Sequence, residues 1–416
     1  MRLDYRKTFL IGFGFFAASL AWSLYNSVVP LMLNKYIAST AIIGSIMTID
    51  NIFGIIFQPL IGQVSDRTHT RIGRRMPYIL IGIPICAVVF ALIPMTNTLF
   101  AMMAMIILFN LVMSTWRSPV VALMPDLTPS PLRSKANGVI NLMGGVGSIV
   151  ALLVGGALAK ISYELAFLMG SVVMIAAALM LFFFVKEPDS RRLAHQLDKA
   201  EAMLAETVKE EKPVGIAAKI GIQDLSRPEK RSLISILLAI FFWFTGFNAV
   251  EAFFTLYATK NLGISEGDAL ITLSLFSLSL VVFAIPAGIL AGKIGRKNMI
   301  VIGLIGITVV FVPMIFLESL MLMRVLLVFG GIFWACININ SLPMVVELAT
   351  QERIGSFTGY YYFFSFGAAI VSPILFGFIR DLTQNYATLF VYSIVAFVLA
   401  LISMIFVKHG EAKNAV

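Results

Sequence analysis

Twelve long apolar segments follow one another along this chain, and they constrain its fold more than any other feature. Each has 19 to 27 residues, and a helix of that length, rising 1.5 Å per residue, crosses a hydrocarbon layer of about 30 Å. In lipid, backbone N–H and C=O groups must bond within their own segment, so each segment is predicted to be an α-helix. The predicted spans, numbered 1 to 12 in chain order, are 8–33, 41–64, 77–95, 98–124, 136–160, 163–185, 233–258, 267–291, 298–317, 320–346, 355–379 and 386–407.

The composition agrees with this prediction, and one polar segment divides the spans six and six. The chain is 59% hydrophobic and only 13% charged, whereas a soluble domain carries about a quarter charged residues. The sequence therefore predicts an all-α membrane protein with twelve transmembrane helices. We expect an N-terminal six-helix bundle at 1–185, a cytoplasmic linker at 186–232 and a C-terminal six-helix bundle at 233–416. Within the linker, 191–206 has apolar residues at helical spacing among dense charge, which predicts an amphipathic surface helix.

The basic residues indicate how the chain is oriented. If the N-terminus is cytoplasmic and the spans alternate, 25 of the 31 Lys and Arg residues fall on the cytoplasmic side. This is the positive-inside bias of membrane proteins. It accounts for the net charge of +9 without a nucleic-acid partner. We expect a monomer in the cell inner membrane, with both termini in the cytoplasm.

The residue types that carry catalysis or bind metals are scarce. The two cysteines, Cys86 and Cys336, fall inside spans 3 and 10, where they are expected to pack as small apolar side chains. The three histidines are scattered through loops without metal-ligand spacing. The sequence has no phosphate-binding glycine loop and no nucleophile elbow. We therefore expect no metal, no cofactor and no enzymatic activity.

Two connections between spans resemble each other and a known family. The 2–3 connection reads Gly62-Gln-Val-Ser-Asp66-Arg and then Gly73-Arg-Arg75, and the 8–9 connection has Gly-Lys and Gly-Arg-Lys at matching places. Twelve spans, a charged central linker and this element resemble the major facilitator superfamily. More narrowly, the run from Gln58 to Pro77 resembles the sucrose–proton symporters, and more distantly the glycoside–pentoside–hexuronide:cation symporters.

The resemblance implies two pseudo-symmetric bundles with a substrate cavity between them. It implies a secondary active transporter that couples entry of a mono- or disaccharide to entry of a proton by alternating access. Two alternatives stay open at this stage. The chain could be a proton-coupled exporter or antiporter of another small solute, or a membrane sensor or lipid-handling protein without solute flux.

Three charged residues lie inside predicted spans and away from the span ends: Asp50, Arg117 and Glu251. A charge at the centre of a span costs about 2.5–3.5 kcal/mol on insertion scales, so each is a candidate for function. Carboxyl groups removed from water can bind and release a proton near neutral pH, so Asp50 and Glu251 are predicted to couple transport to protons. Related sodium symporters carry an acid where this chain has Gln58, which also favours a proton. The alternatives are an ion pair between Asp50 and Arg117, and a wetted rim position for Glu251.

Sugar sites combine aromatic rings with amide and guanidinium groups, because sugars have apolar faces and hydroxyl edges. The chain offers such side chains inside several spans, although each could instead be a packing residue. The predicted substrate-binding residues are Trp22, Asn26, Gln58, Asn110, Trp116, Arg117, Asn141, Asn248, Asn338 and Asn340.

Paired charges at the cytoplasmic ends of the spans form a further group. The resemblance implies that they make interhelical ion pairs and helix-end contacts that hold an inner gate closed, and simple positive-inside anchoring is the alternative. The predicted gate residues are Asp66, Arg74, Arg75, Asp126, Arg133, Arg296, Glu347 and Arg353.

Overall fold

The computed structural model describes residues 4–128, 132–190, 225–349 and 354–410, without the side chains of 133–135 and 354–356. Within these residues every regular element is a helix, and twelve spans are long and apolar enough to cross a membrane. The all-α prediction is therefore confirmed. The linker helix predicted at 191–206 lies outside the described residues. The α-helices are Tyr5–Asn34, Thr40–Met47, Ile49–Asp66, Met76–Leu92, Leu99–Leu127, Arg133–Ala159, Tyr163–Phe184, Arg227–Asn261, Glu266–Ile294, Arg296–Met314, Leu320–Val346, Ile354–Thr383 and Thr388–Ile405.

Span 2 is broken where the sequence predicted one continuous helix. Its first segment ends at Met47, and Thr48 turns the chain before the second segment begins at Ile49. The Thr48 N–H reaches back three residues to the Ser45 carbonyl at 3.3 Å, and the Thr48 hydroxyl donates to the same carbonyl at 2.7 Å. A threonine hydroxyl that bonds a nearby carbonyl competes with the helical pattern. The break places Asp50 in the first turn of the second segment.

Span 7 is longer than predicted because polar residues organise its first turn. The Ser226 hydroxyl accepts a hydrogen bond from the Glu229 N–H at 3.4 Å, and the Glu229 carboxylate accepts one from the Ser226 N–H at 2.9 Å. This reciprocal pair satisfies two N–H groups that a helix start otherwise leaves without partners. The helix therefore begins at Arg227, ahead of the apolar run at 233–258.

Many large apolar side chains remain on the surface of the protein. Phe100 is 85% exposed, Phe316 is 81% exposed and Met321 is 78% exposed. Such a surface would drive aggregation in water. It is the surface expected of helices whose solvent is hydrocarbon.

The described residues group into two compact units, whose boundary does not follow the two halves of the sequence. One unit comprises the described residues within 1–21, 53–147 and 168–219, and the other those within 22–52, 148–167 and 220–416. The second unit thus combines parts of spans 1, 2, 5 and 6 with the helices of the second half. For example, the Thr255 hydroxyl in span 7 donates to the Ser27 carbonyl in span 1 at 2.8 Å.

Aromatic rings fill much of the second unit. The rings of Phe247 and Trp334 stack with centroids 4.3 Å apart, and Phe244 meets the same indole edge-on at 5.7 Å. Close helix packing is a second element of this core. Spans 9 and 10 approach so closely that a Cβ on Gly306 would lie 2.2 Å from Cδ1 of Phe333.

Gly306→Ala is expected to destabilise the protein by about 1–3 kcal/mol, because the added methyl group overpacks the contact with Phe333. Gly292→Ala is the matched control. Gly292 is also helical, but it is exposed and a Cβ there meets no described heavy atom within 4 Å. Thermal unfolding of the two variants in detergent measures the difference. Equal unfolding temperatures would contradict the packing argument.

Candidate functional site

A cavity of about 100 Å³ lies within the second unit, between spans 1, 2, 7 and 11. It brings together five side chains that the sequence predicted for coupling or substrate binding. None of its lining residues is Lys or Arg. The lining residues are Trp22, Asn26, Met47, Asp50, Asn51, Asn248, Glu251, Ala252, Ala369 and Pro373.

Asp50 reaches this cavity from the broken span 2 and is only 4% exposed. Its Oδ1 accepts hydrogen bonds from the backbone N–H and from Nδ2 of Asn51, both at 2.6 Å. The first turn of a helix has N–H groups without intrahelical partners and carries a partial positive charge, which suits an anionic side chain. The break at Thr48 therefore gives a carboxylate a favourable position in the middle of a membrane span.

Asn51 is a site residue that the sequence analysis missed. It was not considered because an asparagine beside an aspartate carries no distinctive pattern, and its relevance depends on the helix break. The signal that could have found it is the polar run Thr48-Ile-Asp50-Asn51 inside an otherwise apolar segment.

Glu251 lines the same cavity from span 7 and is half-buried. The side-chain amide of Asn26, on span 1, forms a hydrogen bond with its carboxyl group. One turn before Glu251, Nδ2 of Asn248 is buried and has no hydrogen-bond partner among the described residues. A buried donor without a partner costs about 1–3 kcal/mol. An acceptor on a bound solute would remove that cost.

Trp22 completes the polar side of the cavity. It precedes Asn26 by four residues, so both side chains lie on one face of span 1. The ring of Trp22 lies 6.4 Å from that of Tyr25, measured between centroids. The cavity therefore combines two carboxyl groups, three amides and one indole.

The other predicted substrate residues do not line this cavity. Asn110 and Asn340 are buried, and their amides donate to carbonyls four residues back, those of Ile106 at 3.0 Å and Cys336 at 2.8 Å. Their positions in the structure are as follows: Trp116 fully buried, Gln58, Arg117 and Asn338 half-buried, and Asn141 exposed. Gln58, Asn110, Trp116, Arg117 and Asn141 belong to the first unit.

A second polar cluster lies in the first unit, where spans 2, 3 and 4 end. The side chain of Arg75 is 5% exposed, and its Nε donates to Asp126 at 2.9 Å. Its other nitrogens bond Asp66, Ser65 and the Gly62 carbonyl. One guanidinium thus joins three helices, because its planar fork presents five donors.

Arg74 adds a second guanidinium to the same cluster. It makes a bidentate contact with Asp126, at 2.7 and 3.1 Å. Partial burial works to lower the pKa of Arg74, but the hydrogen bond with Asp126 and the negative charges of Asp126, Asp66 and Glu187 together outweigh it and hold the pKa above its usual value. Arg74 is therefore charged at any physiological pH.

Glu187, just after span 6, is a further residue that the sequence analysis missed. Its carboxylate accepts from the backbone N–H groups of Arg75 at 2.9 Å and Met76 at 3.1 Å, which are the first N–H groups of span 3. The sequence Lys186-Glu187-Pro188 looks like an ordinary polar helix end. The contact with a residue 112 positions away cannot be read from it.

The matching connection of the second half has a smaller cluster. Arg296, at the start of span 9, donates to Glu347 at 3.0 Å and to the Pro343 carbonyl at 3.3 Å. Each of these described ion pairs therefore joins helices of one half. The side chains of Arg133 and Arg353, predicted as gate residues, lie outside the described residues.

Comparison with known proteins identifies the class. The model of the Major Facilitator Superfamily matches residues 11–274 and 236–415, so the chain belongs to this family. It is a multi-pass membrane transporter, and transporters of this family carry small molecules rather than catalyse reactions.

Individual relatives are distant. The chain is 25% identical to the cis,cis-muconate transport protein of Acinetobacter baylyi, over 70% of this chain and 68% of that protein. It is 23% identical to the class B tetracycline resistance protein of Escherichia coli, over 86% and 84%. An uncharacterized MFS-type transporter of Bacillus subtilis is 26% identical, but the match covers only 44% of this chain and 43% of that protein.

Solved structures show the same fold at lower identity. A bacterial homolog of the human lysosomal transporter Spinster, in an inward-facing and occupied conformation, superposes with a TM-score of 0.72. The identity is 14%, over 98% of this chain and 97% of that one. At this identity the likeness concerns the fold alone.

Arg75→Gln is expected to lower the stability of the protein by about 2–3 kcal/mol, because the amide cannot join three helices and leaves charged partners without their hydrogen bonds. The exposed Arg67, in the same connection, is the control, and Arg67→Gln is expected to change stability by no more than about 0.5 kcal/mol. Thermal unfolding of both variants in detergent tests this. Similar losses in both would indicate that loop charge alone matters.

Proposed function

We propose that this transporter is a symporter that couples entry of a small sugar to entry of a proton by alternating access. The observation that carries the proposal is the meeting of Asp50 and Glu251 with Trp22, Asn26 and Asn248 around one cavity. The polar groups of this cavity are acceptors and donors suited to hydroxyl groups, and the indole suits the apolar face of a sugar.

The carboxyl groups supply the coupling in this proposal. A carboxyl group in a cavity closed to bulk water can bind a proton from one side of the membrane and release it to the other. Asp50 and Glu251 both satisfy the requirement of lying inside a span beside the proposed solute site. Arg117 does not line this cavity. Its proposed role as a further hydrogen-bond donor to sugar hydroxyls rests on its planar guanidinium inside a span.

The architecture in this proposal has two six-helix halves, 1–185 and 233–416, joined by the linker 186–232. The protein acts as a monomer in the cell inner membrane with both termini in the cytoplasm, in accordance with the positive-inside pattern. The inner gate is formed by the two charged clusters around Arg75 and Arg296, together with Arg133 and Arg353.

A second candidate function is proton-coupled export of another solute. It is favoured by the similarity to the class B tetracycline resistance protein over 86% of the chain. Membrane-embedded acids would serve export as well as import. The two functions differ in whether solute and proton move in the same or in opposite directions, which transport assays decide.

Uptake of a panel of labelled sugars into proteoliposomes with an imposed pH gradient tests the proposal. The protein should accumulate at least one sugar when the proton gradient is directed inward, and the accumulation should disappear with a protonophore. Labelled tetracycline and cis,cis-muconate complete the panel. Solute movement only against the proton flow would replace symport with export.

Asp50→Asn and Glu251→Gln are each expected to reduce uphill accumulation about tenfold or more, because an amide keeps shape and hydrogen bonding but cannot bind a proton. Exchange of labelled for unlabelled sugar, which needs no net proton movement, should persist. The exposed Glu164→Gln is the control for a carboxylate outside the cavity. Normal uphill uptake by one of the two cavity variants would remove that residue from the coupling role.

Arg117→Lys is expected to weaken sugar affinity about tenfold, because an ammonium group lacks the planar fork that bonds neighbouring hydroxyls. Binding measured by competition in detergent, together with the unfolding temperature, separates two roles. Unchanged affinity with a lower unfolding temperature would assign Arg117 a structural role instead.

A further inference from the structure

Asp381, in the last turn of span 11, bonds the beginning of span 2. Its carboxylate accepts hydrogen bonds from the Ser39 hydroxyl at 2.5 Å, the Thr40 N–H at 2.8 Å and the Ala41 N–H at 3.1 Å. In the sequence, span 2 precedes the central linker and span 11 follows it, and Ala41 and Asp381 are 340 residues apart. The contact therefore joins one half of the transporter to the other.

The position of Asp381 is electrostatically unfavourable within its own helix. A negative charge near a helix C-terminus faces the negative end of the helix dipole, which is unfavourable. The N–H groups at the start of span 2 supply the opposite environment, where an anion is stabilised. Arg380 adds a donor at 3.3 Å, and its guanidinium lies 4.3 Å above the ring of Tyr386.

The two helices also touch through their backbones. A Cβ on Gly44 would lie 2.1 Å from the Pro373 carbonyl oxygen, and one on Gly377 would lie 2.5 Å from the Thr40 carbonyl oxygen. Only glycine permits this approach. Beside it, the hydroxyls of Thr40 and Tyr386 are 3.1 Å apart, within hydrogen-bond distance.

A second pair of helices from the two halves meets in the same way. Lys160, at the end of span 5, bonds Asp268 at the start of span 8 at 2.6 Å. By the positive-inside pattern, the 1–2, 5–6, 7–8 and 11–12 connections all lie on the outer side of the membrane. These two contacts between the halves are therefore at the outer ends of their helices.

The same helices form the cavity wall. Met47 and Asn51 line it from span 2, and Ala369 and Pro373 line it from span 11. Pro373, which touches Gly44, is thus both a wall residue and part of the helix contact. Separating spans 2 and 11 at their outer ends would open the cavity toward the outside.

We propose that Asp381 and the start of span 2 form the latch of an outer gate, which is closed in this structure and has to release before solute passes between the cavity and the outside. The latch consists of the hydrogen bonds from Ser39, Thr40 and Ala41 to Asp381. The inference rests on alternating access but not on the identity of the solute or on proton coupling.

Cysteine accessibility tests the latch directly. Ala369→Cys places a reporter in the cavity wall, and the native Cys86 and Cys336 are buried. A membrane-impermeant maleimide is applied to right-side-out and to inside-out vesicles, and the rate without the reporter is subtracted. Adding Asp381→Asn is expected to raise the labelling rate from the outside about fivefold or more, because the population shifts toward the outward-open form.

Three further variants keep the test decisive. Ser39→Ala removes one of the three hydrogen bonds to Asp381, together with the cap that the Ser39 hydroxyl gives the Ile42 N–H at 3.3 Å, and should raise outside labelling by a smaller factor, about twofold. Gly44→Ala separates the backbones by bulk and should act like Asp381→Asn. Glu318→Gln, at an exposed carboxylate of the 9–10 connection, is the control and should leave the rate unchanged.

The latch proposal would be contradicted if both Asp381→Asn and Gly44→Ala kept outside labelling within about twofold of the rate without them. It would also be contradicted if labelling increased only from the cytoplasmic side. If Asp381→Asn does not fold, as judged by size-exclusion chromatography, Ser39→Ala and Gly44→Ala decide the question. The assay uses no sugar and no pH gradient. A negative sugar-uptake experiment would therefore not contradict the latch proposal. Unchanged cysteine labelling would likewise not contradict the proposed symport.

Discussion

Hydrocarbon offers the polypeptide no hydrogen bonds. This single constraint governs both the helical scaffold and the places where charged side chains are tolerated. It forces the backbone into helices that satisfy their own N–H and C=O groups. It also leaves the first N–H groups of each helix as the strongest polar sites available to an anion inside or near the membrane. The positions of the carboxylates in this protein follow from that second consequence.

Three carboxylates use helix starts in this way. Glu187 bonds the start of span 3, Asp381 bonds the start of span 2, and Asp50 lies in the first turn created by the break at Thr48. The first two bridge between helices, so each ties one helix end to another. Asp50 instead accepts from the adjacent Asn51 and lines the cavity. The same physical preference thus serves helix assembly in two places and a candidate solute site in the third.

The sequence predicts well what depends on local composition. Hydropathy and segment length are properties of consecutive residues, so the twelve spans could be placed before the structure was known. Trp22, Asn26, Asp50, Asn248 and Glu251 could also be selected, because a polar residue inside an apolar span is conspicuous. Their convergence on one cavity depends on the tertiary structure and cannot be predicted from residue spacing within one helix.

What sequence reasoning missed depends on partners far along the chain. Asp381 and Glu187 lie at ends of spans, where acidic residues are common, and nothing local distinguishes them. Asn110 and Asn340 were selected as substrate ligands, yet both bond carbonyls one turn back. An amide inside a span can use its NH2 group in that way, so polarity within an apolar segment identifies candidates without separating a binding role from a hydrogen bond within the helix.

The two kinds of charged cluster differ in what they connect, and that difference bears on how a transporter can move. Arg75 is buried and its cluster joins spans 2, 3 and 4, which belong to one half. In the proposed inner gate these bonds therefore fix the ends of their own helices, and they can persist through a cycle in which the halves rock. The Asp381 contact joins spans 2 and 11, from different halves, and has to break when the outer ends separate. A gate of the second kind has to be weak enough to release, since a small free-energy difference sets the ratio of the two states. Hydrogen bonds from a helix start to a partly exposed carboxylate suit that requirement, because water can replace them when the helices part.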